Sequence, residues 1–169
     1  IIDELIKKNN KVIFRPHPEH YKRSKKILKI IYDKFSSHEN FILDNKSENI
    51  DSMNNSKCLI TDISDIALEY MLVLNRPVLY LEYDKVKVHN KDYSEFKDFV
   101  PIEIKFKKEF GLIFTNNEIR NINQLVDNSI KNFGLKLSIL NQVKDEYYFN
   151  FGKTIKEFEK IREEKILNF

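Results

Sequence analysis

Two short stretches carry residue types suited to phosphate chemistry. The first is Arg15-Pro16-His17-Pro18, where two prolines remove backbone donors and hold an imidazole on an extended turn. The second is Thr61-Asp62-Ile63-Ser64-Asp65, a hydroxyl among carboxylates just ahead of a helix-periodic run. A helix start offers unpaired N–H groups and a partial positive charge, which suits an anion. Ser64 adds a hydroxyl donor, and Arg15 and His17 bring positive charge from the neighbouring loop. Plainer roles compete with these. Ser64, or Asp62 with Asp65 in the first turn, can be a helix cap alone. Arg15 can pair with a carboxylate, and His17 can bond a carbonyl. For His17, presentation between two prolines at a strand end favours function.

These groups need elements to hold them. Residues 1–10 read as the end of a helix, with Ile1, Ile2, Leu5 and Ile6 on one side. Short apolar strands are expected at residues 11–15, 41–43, 57–61 and 77–81, and a fifth at 110–114. The strand at 57–61 is apolar without alternation, as a strand covered on both faces should be. Helices are expected at 19–37, at 64–74 and at 116–133, the last with Ile119, Ile122, Leu125, Val126 and Ile130 inward. Residues 45–55 have room for a short helix. Residues 83–108 are charged, aromatic and poorly periodic, and read as a long loop. Beyond Gly134 the chain reads as helical to Phe169, with an interruption near Gly152. Strand and helix alternating at this rhythm predict an α/β fold: a Rossmann-like parallel sheet with helices on both faces, then a helical C-terminal tail at 134–169. A single domain over 1–169 is the economical reading. In such a sheet, ligands bind beyond the carboxyl ends of the strands, where both chemical stretches fall. Tyr80, Tyr83 and Asp84 follow the fourth strand on the same edge. They are suited to a base or ribose, or to an aromatic rim that closes the core. Glu69, about one helical turn past Ser64, is placed to accept ribose hydroxyls or to be solvated.

Composition removes several function classes. Of 169 residues, 29 are basic and 26 acidic, a net +3 that gives no argument for nucleic acid. Lysine outnumbers arginine 24 to 5, although arginine is the better residue for forked phosphate contacts. Cys58 is the single cysteine, so neither an internal disulfide nor a Cys-rich zinc module is expected, and its apolar strand makes it core. His20, His38 and His89 have no ligand-spaced partners and read as surface groups, so no metal is expected. No glycine-rich nucleotide loop is present among three glycines. The apolar runs are too short to cross a bilayer, and no signal peptide is expected. The lysines of residues 19–37 read as a solvated face, able also to rest near anionic lipid.

Taken in order, residues 12–18 (VIFRPHP), 59–70 (LITDISDIALEY) and 75–84 (NRPVLYLEYD) resemble the CDP-glycerol glycerophosphotransferases, enzymes of the teichoic-acid polymerase type with a two-lobed GT-B architecture. Residues 93–101 and 148–154 (YFNFGKT) are similar to later segments of that family. The resemblance implies that this chain is the C-terminal, donor-binding lobe. It implies that His17, with Arg15 beside it, contacts the transferred phosphoryl group. Asp62, Ser64 and Asp65, with the backbone N–H groups that follow, would hold the donor phosphates. Glu69 and Tyr83 would lie near the nucleotide. The reaction implied is in-line attack of an acceptor hydroxyl on the glycerol-bearing phosphorus, with CMP leaving and no cofactor. The acceptor implied is a polyol phosphate or glycan, lipid-linked, of teichoic-acid or capsule type. Asp65 stands where the family commonly has Ser or Gly, Ile63 where it has an aromatic, and Ile102 where it has Gly. The donor therefore stays open among CDP-glycerol, CDP-ribitol and other nucleotide-linked alcohols or sugars. A GT-B glycosyltransferase lobe, a UDP-sugar epimerase relative and a non-catalytic binding domain remain as alternatives. The start at Ile1, directly before the first strand, reads as a cut end. On that reading an N-terminal lobe with the acceptor site is missing, and this chain alone is expected to bind nucleotide without turnover. The family implies a cytoplasmic protein, peripheral at the inner face of the membrane.

Overall fold

A computed structural model describes residues 1–62, 64–83, 100–148 and 152–166. The chain forms two compact units, Ile1–Phe133 and Gly134–Phe169. The first unit opens with α1 (Ile2–Ile6), β1 (Val12–Phe14), α2 (Pro18–Arg23), α3 (Lys25–Phe35) and β2 (Phe41–Leu43). It continues with α4 (Ile50–Asn54), β3 (Leu59–Thr61), α5 (Ile66–Leu74), β4 (Val78–Glu82), α6 (Ile102–Glu109) and β5 (Leu112–Thr115). A 3-10 turn, Asn116–Asn121, then leads into α7 (Ile122–Tyr147), which runs on into the second unit. There α8 (Thr154–Ile166) follows Gly152, whose φ of +72° is backbone that glycine adopts without steric cost.

All strand pairing among the described residues is parallel. Val12, Ile13 and Phe14 of β1 face Phe41, Ile42 and Leu43 of β2. β4 lies between β3 and β5, with Leu79 opposite Ile60 on one side and Leu112 on the other. The protein is thus a Rossmann-like α/β fold of parallel strands flanked by helices, with a helical C-terminal region. Among the described residues its ladders form a two-stranded sheet and a three-stranded sheet, with no ladder between β1 and β3. Packing continues where hydrogen bonding stops. Leu5, Leu79, Leu81, Phe114, Ile122 and Val126 form one core, Ile6, Phe35 and Phe41 another, and Val12 touches both. Asn123 ties the start of α7 to α1, donating from Nδ2 to the Glu4 carbonyl at 2.7 Å.

The structure changes four expectations. The helix expected at 19–37 is two helices, broken at Ser24, whose φ of −129° is not helical. Within the stretch expected to be a loop, Ile102–Glu109 is helical; Glu103 in its first turn and Lys107 and Lys108 in its last complement the helix dipole. Its Phe106 and the following Phe110 are one turn apart and buried, with rings 5.3 Å apart. The fifth strand begins at Leu112, because Phe110 ends α6. Finally, α7 starts at Ile122 after a capping box in which Thr115 N and Oγ1 both donate to Glu118 Oε2 at 2.9 Å. That start sets an inward stripe of Ile122, Val126, Ser129 and Phe133, leaving Ile130 39% exposed. The helix also passes Gly134 without a break. Ile63, Asp84, His89, most of 93–101 and the 149–151 part of the closing motif lie outside the described residues.

Candidate functional site

His17 caps α2. Its backbone is extended (φ −60°, ψ 139°), Pro18 takes the first helical position, and Nδ1 accepts from the Glu19 amide at 3.2 Å. Proline suits that position because its fixed φ is helical and its missing N–H is one a helix start leaves unpaired anyway. The cap has a chemical consequence. With Nδ1 used as an acceptor, the neutral ring carries its proton on Nε2, so the exposed ring presents a donor outward. His20 lies beside it at 6.2 Å, edge to face. Pro16, behind the imidazole, is buried and anchors the corner.

Arg15 is engaged rather than open. Nη1 donates to Asp44 Oδ2 at 2.7 Å and to the Glu48 carbonyl at 3.1 Å, and Nη2 donates to the Ser47 carbonyl at 3.1 Å. The guanidinium therefore ties the end of β1 to the loop after β2. Asp44 is the buried centre of this knot, 7% exposed; it also accepts from the Ser52 hydroxyl and, at 3.1 Å, from the Lys46 amide. Burial pushes its carboxyl up, but the bonds from Ser52, Arg15 and the Lys46 amide outweigh it and hold the group below the ordinary carboxylate value. Asp44 was missed in the sequence. The signal was register: β1 and β2 end opposite one another at Phe14 and Leu43, so the next pair is Arg15 and Asp44.

The second corner follows β3. Asp62 and Asp65 are exposed and Ser64 is half-buried. Asp65 takes the cap position of α5, yet no side chain caps this helix, so neither Ser64 nor Asp62 is the cap that their types suggested. The first bonds of the turn are Ala67 N to the Ser64 carbonyl and Leu68 N to the Asp65 carbonyl, both at 3.0 Å. The amides ahead of Ala67 have no side-chain acceptor among the described residues. An uncapped N-terminus of this kind can accept a phosphate or carboxylate oxygen. Glu69 is exposed on the same helix, and Tyr83 is 43% exposed just past β4. No hydrogen bond or ion pair joins the His17 corner to the Asp62–Ser64 corner among the described residues.

Around these corners the aromatic and thiol groups are structural. Tyr80 is 3% exposed, and burial pushes its hydroxyl up to about 12, so it belongs to the core rather than to a base-binding rim. Burial, with the charge of Asp127 adding, pushes the Cys58 thiol up to about 11, which fits its expected place in the core and not a nucleophile. Arg76 was also overlooked. Its Nη1 donates to the carbonyls of Met53 and Asn54 at 2.9 Å and Ser56 at 2.5 Å, closing the end of α4. No cluster of metal-ligating side chains exists among the described residues, and no described helix is long and apolar enough to cross a membrane.

The comparisons with known proteins bear on both corners together. Neither a curated protein nor a solved structure matches the chain. A family model, CDP-Glycerol:Poly(glycerophosphate) glycerophosphotransferase, matches residues 1–145, a span that takes in the His17 cap, the open start of α5 and the strands that carry them. A donor imidazole and an uncapped helix start, both following strand ends, are parts that transfer of a phosphorylated alcohol can use, and on the strength of that match the chain belongs to the CDP-glycerol:poly(glycerophosphate) glycerophosphotransferase family.

Proposed function

We propose that this chain is the donor-binding lobe of a GT-B enzyme that transfers glycerol phosphate, or a related polyol phosphate, from a CDP-activated donor to a teichoic-acid or capsule-type polymer. The observation that carries this reading is the family match over 1–145, because it covers both chemical corners in one span. The open amides before Ala67, with the Ser64 hydroxyl, receive the donor's phosphate oxygens. Asp62 and Asp65 stand at that mouth and set which donor is admitted; a carboxylate near a diphosphate repels it unless turned aside. Glu69 and Tyr83 contact the nucleotide. His17 acts through Nε2–H as a hydrogen-bond donor to the transferred phosphoryl group rather than as a base, since Nδ1 is held by the Glu19 amide. Arg15 positions that corner through Asp44 and the 47–48 carbonyls.

In the reaction, the acceptor hydroxyl oxygen forms a bond to the glycerol-bearing phosphorus while the bond to the CMP oxygen breaks. CMP leaves with that electron pair, and the hydroxyl proton goes to a base on the acceptor-binding lobe. Transfer of this kind is catalysed mostly by placement and charge neutralisation, which fits a helix mouth and an imidazole donor. The acceptor-binding lobe lies outside this chain, so the 169 residues alone bind nucleotide and release little or no CMP. The acceptor is lipid-linked and the enzyme works peripherally at the inner membrane face.

The test is CMP release by the complete enzyme from CDP-glycerol, CDP-ribitol and UDP-sugars, with His17→Ala and His17→Asn compared. Asparagine keeps a cap acceptor for the Glu19 amide but removes Nε2–H. Both variants are expected to lose about 10²- to 10³-fold in turnover, with Asn retaining wild-type folding stability. Unchanged turnover in His17→Asn, or binding of UDP-sugars in preference to CDP-alcohols, would overturn the reading.

A further inference from the structure

Helix α4 is held in place by polar bonds rather than by the core. It has five residues and no buried side chain, with Ile50 58% exposed, and a helix so short is marginal in water unless something fixes it. At one end the Ser52 hydroxyl donates to Asp44, the carboxylate that also receives Arg15 Nη1 at 2.7 Å. At the other end Arg76 Nη1 donates to the carbonyls of Met53 and Asn54 at 2.9 Å and of Ser56 at 2.5 Å. The fully buried Tyr70 donates from its hydroxyl to the same Ser56 carbonyl at 2.9 Å. The exposed Lys46–Asp51 pair adds little. Arg15 follows β1 and precedes His17, Tyr70 lies within α5, and Arg76 lies in the turn after it. These bonds therefore run from the element that carries the imidazole to the helix whose start is open.

We propose that α4 is a strut between the His17 corner and α5, and that Ser52 and Arg76 are positioning residues for the transfer. Among the described residues no ladder joins β1 to β3, so the sheet's backbone bonds do not set the spacing of the two corners. Closing the loop after β2 would need only bonds within residues 44–58, yet Arg15, Tyr70 and Arg76 are drawn in from outside it. The inference rests on the transferase reading for its purpose, because the spacing matters to a donor held at the start of α5 that must meet His17 Nε2. Cutting the strut leaves each corner intact and misaligns them, a loss felt in the transition state more than in donor binding.

The test uses the complete enzyme with Ser52→Ala, Arg76→Leu and the two combined. Asp44 keeps Arg15 and the Lys46 amide in the first variant. In the second, the Ser56 carbonyl keeps Tyr70 and the Met53 carbonyl keeps the Ser56 hydroxyl, so both should fold. Each single variant should lower kcat for CMP release about tenfold, with the donor KM within about twofold of wild type. Ser52 and Arg76 share no hydrogen-bond partner among the described residues, so independent roles would make the double variant about a hundredfold slower. A strut cut at either end is already cut, and the double variant should stay near tenfold. Amide exchange gives a readout that needs no turnover: Ser52→Ala should speed exchange at Ala67 and Leu68, in the first turn of α5, about fivefold. Unchanged kcat in either single variant, a loss carried by KM, additive losses, or faster exchange confined to residues 44–54 overturns the proposal. Faster exchange at Ala67 in an enzyme that releases no CMP from any donor upholds the strut and removes the transferase reading. Wild-type turnover in all three variants does the reverse.

Discussion

Asp44 shows how much one buried carboxylate organises. Its partners reach it from β1, from its own loop and from the short helix α4. Because the folded-state value lies below the unfolded one, its contribution is complete above the unfolded pKa and is lost as pH falls through the folded value. Asp44→Asn keeps the shape but removes the charge from these bonds. It should cost about 1–3 kcal/mol at neutral pH. The gap from wild type should begin to narrow below about pH 4, where Asp44 of the unfolded chain takes up a proton while the folded carboxylate still resists it, readable in urea melts at pH 7 and pH 3. An equal gap at both values would contradict this account. At this scale the sequence was half legible. His17 stood out because two prolines frame it. Arg15 showed its charge but not its engagement, since a guanidinium at a strand end looks the same whether bound by Asp44 or open to a phosphate. Ser64 and Asp62 have capping chemistry, yet Asp65 takes the cap position and leaves the side-chain bond unmade.

Among the elements, the contact between α6 and β4 sets the tightest limit. Gly111 turns the chain from α6 into β5, and a Cβ there would stand 2.5 Å from the Tyr80 ring and 2.7 Å from the Lys107 carbonyl. The ring cannot easily yield, because Tyr80 is 3% exposed, and the carbonyl is backbone. Lys107 adds to the same packing, with Nζ 5.7 Å from the Tyr80 ring centre and 3.1 Å from Glu82. Gly111→Ala is therefore expected to destabilise the protein by about 1–3 kcal/mol, measured as a lower urea midpoint at unchanged slope. A midpoint equal to wild type would show that the turn relaxes. Strands β1 to β4 were legible as short apolar runs between breakers. Helix α6 was not, because its inward residues, half-buried Ile102 and buried Phe106 with Phe110 just past its end, are interleaved with charged ones. The break at Ser24 was hidden for a different reason: α2 and α3 share one lysine-rich composition, and Ser24, though a capping residue type at the cap position of α3, makes no side-chain capping bond there.

For the molecule as a whole, Cys58 offers a built-in reporter of opening. It packs against the core that holds Leu79 and Phe114, and its thiol is pushed up to about 11. At pH 8 the thiolate fraction is on the order of a hundredfold below that of an ordinary thiol, so labelling of native protein should be correspondingly slow. Labelling should accelerate along the same urea curve that fluorescence or circular dichroism follows. Fast labelling without denaturant would mean the core around β3 opens locally. The larger architecture was legible because alternating strands and helices leave few topologies. The division of the ladders was not, since strand residues look alike whether or not the next strand is close enough to bond. That division matters for how the protein works. The imidazole corner rides on β1 and the open helix mouth on β3, and between those strands side chains mesh around Val12 without backbone bonds. If the donor bridges the two corners as proposed, it joins strands that share side-chain packing at Val12 but no ladder, and amide exchange along both should slow when it binds.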